Sequence, residues 1–265
     1  MKTLAYAVAA AVAASVFSTG ALAQTGSAHA QDMSVHISLL GLANLDVPPQ
    51  IPSAVDDASV DTDVNNSLPG LNIPGPLLSL STGLLTSEAQ YTTGATLASG
   101  ATVTVAGFDL SAISLLGDSL LSVSADAITS TAIVSGYCVA TPGIQSVGLL
   151  EDYVFNSTFE AGNLQNTPPG GTPDDGTKLT GLHITILGIE VPDLPLNPPP
   201  NTGIDLSALG IVGATLVLNE QNTGGDGVTS TSKSSNAVHL ALNVAGLITA
   251  DVVVGHSDAS LNCAN

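Results

Sequence analysis

The feature that most constrains the fold is a period-two alternation of apolar and polar residues that recurs along the chain. It is clearest in ATVTVAGFDL at 101–110, SLLSVSADAITSTAIVSGY at 119–137, KLTGLHITILGIEV at 178–191, NAVHLALNV at 236–244 and ITADVVVGH at 248–256. Alternate residues of a strand point to opposite faces, so this pattern is typical of strands with one buried face. Clusters of Gly, Pro, Asn and Asp separate the segments. We therefore predict an all-β fold, an antiparallel two-sheet β-sandwich with long Pro/Gly/Asp-rich loops.

Two segments do not follow the alternation. The Pro- and Asp-rich stretch 46–76 is predicted to be a long surface loop. The stretch FDLSAISLLGDSLLS at 108–122 is the one place where a short helix is compatible with the spacing of apolar residues.

The N-terminus has the pattern of a secretory signal peptide. Lys2 precedes the apolar run LAYAVAAAVAASVF, and Ala21 and Ala23 supply a small-x-small cleavage pattern. We place the cut after Ala23, and the second A-x-A at 28–30 is an alternative site. This predicts a signal peptide at 1–23 and a single exported β domain at 24–265, located outside the cell or on its surface, with the periplasm as a further possibility.

Charge and hydropathy exclude several classes of function. Residues 24–265 contain two lysines, no arginine and 22 acidic residues, a net charge of −20. Such an acidic surface repels phosphate backbones, so we predict that nucleic acid is not a partner. No stretch after the signal is apolar for the roughly 18 residues that a spanning helix needs, so we predict a chain that does not span a membrane.

The exported chain retains two cysteines, Cys138 and Cys263. An even count in an oxidising compartment predicts one disulfide between them. The alternative is a reactive or metal-binding pair.

Three similar strands each carry a histidine in second position, namely VHISLLG at 35–41, LHITILG at 182–188 and VHLALNV at 238–244. Alternation places His36, His183 and His239 on the polar faces of these strands. A three-histidine metal site needs the rings to converge on one ion, which alternation alone does not supply. The similarity of 34–52 to 181–199, each running into a Pro-rich exit, indicates a weak internal repeat.

An acidic stretch, DDASVDTDVNN at 56–66, concentrates hard oxygen ligands of the kind that calcium prefers. Asp61, Asp63 and Asn65 match the first three ligand positions of an EF-hand loop, but the glycine and glutamate positions of that loop hold asparagines. We predict no cofactor and interpret this stretch first as a solvated acidic loop, with a calcium site at Asp57, Asp61, Asp63 and Asn65 as the alternative. Calcium is the one cofactor for which the sequence offers a ligand set.

Catalytic patterns are incomplete. The block GDSLLS at 117–122 is similar to the nucleophile block of GDSL-type hydrolases and would make Ser119 a nucleophile. The nearest base pair, Asp251 and His256, is spaced five apart in an alternating strand, which predicts opposite faces. Glu220 and Asn236 each precede or follow a Gly- or Ser-rich loop, and we predict that they cap exposed backbone groups.

The C-terminal third contains PPPNTGIDL at 198–206, ATLVLNEQ at 214–221, SSNAVHLAL at 234–242 and DVVVGHSDASLNC at 251–263. This pattern resembles the bacterial choice-of-anchor P family of exported proteins. The resemblance implies export and a β fold, and it supplies no catalytic residues. The chain departs from the family pattern in having no sorting motif after the last strand, which puts covalent anchoring in doubt.

These observations predict a secreted or cell-surface structural or adhesive β module without enzymatic activity, which self-associates or belongs to the cell envelope. The alternative is a calcium-dependent extracellular protein that binds glycans. A secreted hydrolase acting through Ser119 is the third and weakest reading.

Overall fold

The computed structural model describes residues 24–39, 43–50, 52–93, 97–113, 119–136, 140–141, 154–155, 176–226, 230–244 and 248–263, with backbone alone at 24, 113, 119, 140–141 and 154–155. It confirms the all-β prediction, because two antiparallel sheets pack face to face. The strands are β1 (Gln24–Leu39), β2 (Ala43–Val47), β3 (Ser53–Ala58), β4 (Thr62–Leu68), β5 (Asn72–Ile73), β6 (Leu78–Ser81), β7 (Leu85–Thr92), β8 (Leu97–Ile113), β9 (Ser119–Gly136), β10 (Ala140–Thr141), β11 (Val154–Phe155), β12 (Thr177–Thr180), β13 (His183–Ile186), β14 (Ile189–Glu190), β15 (Thr202–Ile204), β16 (Ala214–Gly224), β17 (Ser230–Val244) and β18 (Ile248–Cys263).

Sheet 1 has the order β15-β16-β17-β18-β1-β2, with β3 also paired to β1. Sheet 2 has the order β14-β13-β9-β8-β6-β5, with β12 also paired to β9, β7 to β8 and β4 to β7. β10 and β11 form a separate two-stranded pair. The strands nearest the two chain ends are neighbours in sheet 1, since β1 and β18 pair from Gln24 with Cys263 to Leu39 with Ile248. Within the described ranges, no helix has the length and apolarity required to cross a membrane.

The prediction of a long surface loop at 46–76 is wrong. The stretch 46–76 is not one long loop, because β3, β4 and β5 lie within it. β4 is an edge strand that pairs only with β7 and leaves most of its side chains exposed, so it needs backbone pairing but no apolar alternation. The described part of 108–122 forms the end of β8 and the start of β9, not a helix.

In every long strand of sheet 1, the buried residues switch between even and odd numbers at one point. These points lie side by side in a single row across the sheet, which we call the crease. In β1 the buried residues are even-numbered up to Asp32 and odd-numbered from Met33. The same row contains Asn219 in β16, Ala237 in β17 and Gly255 in β18, and Asn219 and Gly255 have positive φ angles of 51° and 69°. Because each strand contributes one extra residue at this row, the inward face continues across it and the register is kept.

Sheet 2 has an equivalent crease. β8 changes parity at Gly107 (φ 59°), and its partner β9 changes at Asp126. The flanking strands of both sheets are interrupted at the same level. β2 and β3 pair with successive parts of β1, β6 and β7 with parts of β8, and β12 and β13 with parts of β9.

The crease divides the sandwich into two halves with different interiors. The aliphatic half, built from β2, β6, β13 and the adjoining parts of the long strands, buries mainly Leu, Val and Ile. The polar half, built from β3, β7, β12 and the other parts of the long strands, buries many Ala, Ser and Thr residues. All twelve buried polar or charged residues of the described chain lie in the polar half or on the crease. They are Asp32, Ser53, Ser87, Ser99, Ser130, Thr131, Thr177, Asn219, Thr231, Lys233, Ser235 and Ser257.

Candidate functional site

The three repeated histidines lie on the outer faces of the sheets, as alternation predicts. His36 and His239 are on sheet 1, and His183 is on sheet 2. The two sheets have their outer faces on opposite sides of the sandwich, so these three rings do not converge on one ion. Within the described residues, no group of three or more His, Cys, Asp or Glu side chains is arranged to hold a metal.

Histidines and carboxylates instead form a connected network across the outer face of sheet 1. At one end, His29 of β1 contacts acids on both neighbouring strands. Its Nε2 is 2.7 Å from Asp56 Oδ1 on β3, and its Nδ1 is 2.9 Å from Asp258 Oδ2 on β18. The ring therefore bridges three strands of the polar half.

At the other end, His239 of β17 makes the same kind of bridge. Its Nδ1 is 2.8 Å from Glu220 Oε2 on β16, and its Nε2 is 3.2 Å from Asp251 Oδ1 on β18. Asn236 donates to the same Glu220 oxygen at 2.8 Å. The prediction that Glu220 and Asn236 cap backbone groups is wrong, because both lie within paired strands and bond to each other.

His256 joins the two ends. Its Nδ1 is 2.6 Å from Asn236 Oδ1, and its Nε2 is 3.6 Å from Asp258 Oδ1. The prediction that Asp251 and His256 face opposite ways is also wrong, since both belong to this outer face. The extra residue at Gly255, with its positive φ, returns His256 to the side on which Asp251 lies.

We call this set the imidazole network: Asp56, His29, Asp258, His256, Asn236, Glu220, His239 and Asp251. The positions of its side chains determine which protonation states of the histidines allow every hydrogen bond to form. A carboxylate has no proton to donate, and a neutral imidazole carries only one N–H. Because His29 and His239 each place both ring nitrogens within reach of a carboxylate, each makes both hydrogen bonds only as an imidazolium.

Electrostatics at the network agree with that requirement. Burial alone opposes a charge on His29, but its hydrogen bonds to Asp258 and Asp56 raise its pKa above the usual 6.5. Burial likewise disfavours the Asp258 and Glu220 carboxylates. Hydrogen bonds from His256 and His29 nevertheless lower the pKa of Asp258, and those from Asn236 and His239 lower the pKa of Glu220.

The two segments of the suspected repeat occupy similar places in different sheets. In 34–52, His36 of β1 is 2.7 Å from Asp46 of β2, at the edge of sheet 1. In 181–199, His183 of β13 is 3.4 Å from Glu190 of β14, at the edge of sheet 2. Each segment thus forms a hairpin with a histidine in its first strand and an acid in its second.

The four predicted calcium ligands lie on β3, on β4 and between these strands. Asp61 Oδ1 accepts hydrogen bonds from the Thr93 backbone N–H at 2.6 Å and from the Thr93 hydroxyl at 2.7 Å, and these bonds lower the pKa of Asp61. Asn65 donates its amide to Asp63 at 2.7 Å. Asp57 donates its backbone N–H to the Ser27 hydroxyl. Calcium binding here stays a prediction, for which calorimetric titration of the protein with calcium is the direct test.

The remaining predicted site residues lie largely outside the described part. Ser119 is the first residue of β9 and is described by its backbone alone. Cys263 is buried at the end of β18, whereas Cys138 lies outside the described residues. The disulfide and the Ser119 nucleophile therefore stay predictions.

The outer face of sheet 2 carries a feature that sequence reasoning missed, because it depends on register between strands. On one side of the crease, four hydroxyl residues align across β4, β7, β8 and β9. They are Ser67, Thr86, Thr104 and Thr129. On the other side, four more align across β6, β8, β9 and β13. They are Ser79, Ser111, Ser122 and Thr185. We call these sets the hydroxyl rows.

No protein-family model matches the sequence, and no curated protein matches it. The resemblance to choice-of-anchor P proteins accordingly stays a prediction. The side chains on the outer faces of the two sheets are the features that bear on function.

Proposed function

We propose that this protein is an exported structural or adhesive module without enzymatic activity, and that the outer face of sheet 2 is its contact surface. The observation that carries the proposal is the pair of hydroxyl rows. Each row presents four short side chains on four adjacent strands. Ser67 is exposed and the other members are partly exposed.

Row geometry favours broad contact. Neighbouring strands are about 4.7–4.9 Å apart, so the hydroxyls of a row repeat at that interval. Each hydroxyl donates one hydrogen bond and accepts others, so a row can bind a polar, extended partner at several points without a pocket. The rows themselves are uncharged, and at one end Thr129 pairs with Lys178 and Thr185 with Glu190.

The histidines favour the same proposal. They are the side chains best suited to acid-base catalysis near neutral pH, and each of the five contacts at least one carboxylate. On sheet 1, an open groove of about 530 Å³ is lined by His36, Asp46 and Asp251 among others. The first two pair with each other, and Asp251 pairs with His239, which suits a supporting role better than a reacting one.

Native mass and location test the proposal. The mature protein is recovered separately from the cells and the medium of its producing culture, and its mass is measured by size-exclusion chromatography with light scattering. We expect envelope-bound or multimeric protein. The double variant Thr104→Val/Thr129→Val removes two hydroxyls of one row but keeps β-branched side chains, and it should be released or become monomeric.

The matched control is Thr215→Val/Thr249→Val, which removes two exposed threonine hydroxyls from the outer face of sheet 1. It should behave as the unaltered protein does. Monomeric protein found only in the medium would overturn the proposal, and so would equal effects of the two double variants.

A further inference from the structure

We propose that the imidazole network is a pH-dependent clasp on the outer face of sheet 1, mainly on the polar half. In mildly acidic solution, doubly protonated His29 holds β3, β1 and β18 together on the polar half. The bridge from Glu220 through His239 to Asp251 continues the network across the crease. Above neutrality His29 loses its second proton and the polar half loosens. This inference concerns the stability of the fold and does not rest on the proposed function.

The clasp depends on where the two rings lie. His29 and Asp258 are each about one third exposed, with side-chain exposures of 34% and 33%, and His239 and Glu220 are similar at 31% and 27%. Ion pairs in fully solvated positions contribute little, whereas partly buried and hydrogen-bonded ones contribute more. Asp56 and Asp251 are more exposed, at 75% and 60%, so the Asp258 and Glu220 contacts are the stronger arm of each bridge.

Neither lysine of the described residues faces the two rings. The groups facing His29 are Asp56 on β3 and Asp258 on β18, and those facing His239 are Glu220 on β16 and Asp251 on β18. His256 faces Asp258 between them, and the exposed pair of His36 and Asp46 flanks Asp251. Lys233 of β17 is on the buried face of its strand, and Lys178 belongs to sheet 2.

Deprotonation therefore changes the sign of the interaction. A neutral ring keeps one N–H and turns a nitrogen lone pair toward the second carboxylate. At each bridge, two carboxylates on different strands then face each other without a cation between them, and their mutual repulsion opposes the sheet.

A buried carboxyl on the crease acts in the same direction. Asp32 is fully buried, and neither of its oxygens has a hydrogen-bond partner among the described residues. Desolvation raises its pKa from 3.8 to about 7. The folded protein therefore binds this proton more tightly than the unfolded chain does, and its contribution to stability is lost as the pH rises from about 4 to about 7.

The network also has an acid limit. The raised pKa of His29 adds stability that is complete below 6.5 and is lost as the pH rises through the folded-state value. The lowered pKa values of Asp258 and Glu220 add stability that is present above the ordinary carboxyl range and is lost as the pH falls through their folded-state values. The clasp is thus strongest between about pH 4.5 and about pH 6.5.

The test is the urea midpoint, the urea concentration at which half of the protein is unfolded, measured at about pH 5.5 and about pH 8. All proteins in this test carry Asp32→Asn, so that the Asp32 carboxyl does not contribute to the pH dependence. We expect the midpoint of the Asp32→Asn parent to fall between the two pH values. In the double variant His29→Gln/His239→Gln most of this fall should disappear, with a midpoint at low pH close to that of the parent at high pH. The control is His183→Gln, which removes a ring with one exposed acid partner on sheet 2 and should keep the fall.

A second measurement decides the matter if the double variant does not fold. Nuclear magnetic resonance of the unaltered protein should show both His29 ring nitrogens protonated at about pH 6, with a titration midpoint above 6.5. An undiminished pH dependence of the urea midpoint in the double variant would overturn the proposal. A His29 titration midpoint below 6.5 would overturn it as well.

Discussion

The two halves of the sandwich bury different kinds of side chain, although the same long strands run through both. On the aliphatic side, Leu110 of β8 and Leu240 of β17 are fully buried among other large apolar residues. On the polar side, the equivalent positions of these strands include Ala101 and Ser235, also buried. The side chains that these strands bury therefore change from large aliphatic residues to small and polar ones where the strands cross the crease.

This difference teaches that pairing and packing are separate sources of stability in a sandwich. In the aliphatic half, apolar burial holds the sheets together. In the polar half, hydroxyls bridge from sheet to sheet. Ser130 of sheet 2 bonds to Ser257 of sheet 1 at 2.9 Å, and Ser53 of sheet 1 to Ser87 of sheet 2 at 2.8 Å. Small residues permit that close approach, and the His29 bridge of the imidazole network reinforces the same half from outside.

The largest expected effect is a cavity in the aliphatic half. Leu110→Ala removes a fully buried side chain from β8, and we expect it to lower the free energy of unfolding by about 2 to 5 kcal/mol. Chemical denaturation measures the change. Leu84→Ala is the matched control, because that leucine is 52% exposed and its loss should cost less than about 0.5 kcal/mol. Equal losses of stability from the two variants would show that apolar burial in the aliphatic half does not stabilise the fold more than an exposed leucine does.

The next largest effect on stability is expected from the ionisable Asp32 on the crease. Asp32→Asn removes an ionisable group whose pKa is raised to about 7, so the variant should be more stable than the unaltered protein above that pH by about 2 to 4 kcal/mol. Below about pH 4 this carboxyl is neutral in both the folded and the unfolded protein, so the two variants should be nearly equal in stability there. Denaturation across this range measures the gap. A gap that does not widen with pH would show that Asp32 is ionised at no cost in the fold.

A smaller effect is expected where Gly26 of sheet 1 lies against Tyr91 of sheet 2. A Cβ added to Gly26 of β1 would overlap the ring of Tyr91 on β7, which is fully buried. Gly26→Ala should therefore destabilise the polar half by about 1 to 3 kcal/mol. In the double variant Gly26→Ala/Tyr91→Leu the cost should be less than the sum of the single costs. Strict additivity would mean that the two residues are not in contact.

The smallest effect concerns one bridging hydroxyl. Ser130→Ala should cost about 1 kcal/mol, because it leaves the buried Ser257 hydroxyl without this partner. Adding Ser257→Ala should recover part of the loss, since both halves of the bridge are then apolar. If the double variant instead loses twice as much as the single one, the bridge is not the source of the effect.

Alternation was enough to predict the long strands and the outward positions of His36, His183 and His239. It could not predict the crease, because an inverted parity at Asp32 or Gly255 depends on a row shared by strands far apart in sequence. The edge strand β4 escaped notice for another reason. It pairs through its backbone and buries little, so its residues carry no apolar period.

The site was beyond prediction for a similar reason. His29 and Asp258 are 229 residues apart, and only the register of β1 with β18 makes them neighbours. Because no acidic residue is adjacent to His29 in the sequence, the local sequence does not indicate that His29 has a carboxylate partner. The hydroxyl rows have the same origin, since Thr104 and Thr129 face each other only through the pairing of β8 with β9.

Native-state hydrogen exchange at about pH 5.5 and about pH 8, corrected for intrinsic exchange rates, tests most directly whether the two halves are held by different forces. We predict that amides of the polar half, such as those of Ala28 and Ser257, lose protection at the higher pH, while those of Leu110 and Val123 in the aliphatic half of sheet 2 keep theirs. Equal loss in both halves, or no loss in either, would contradict the account.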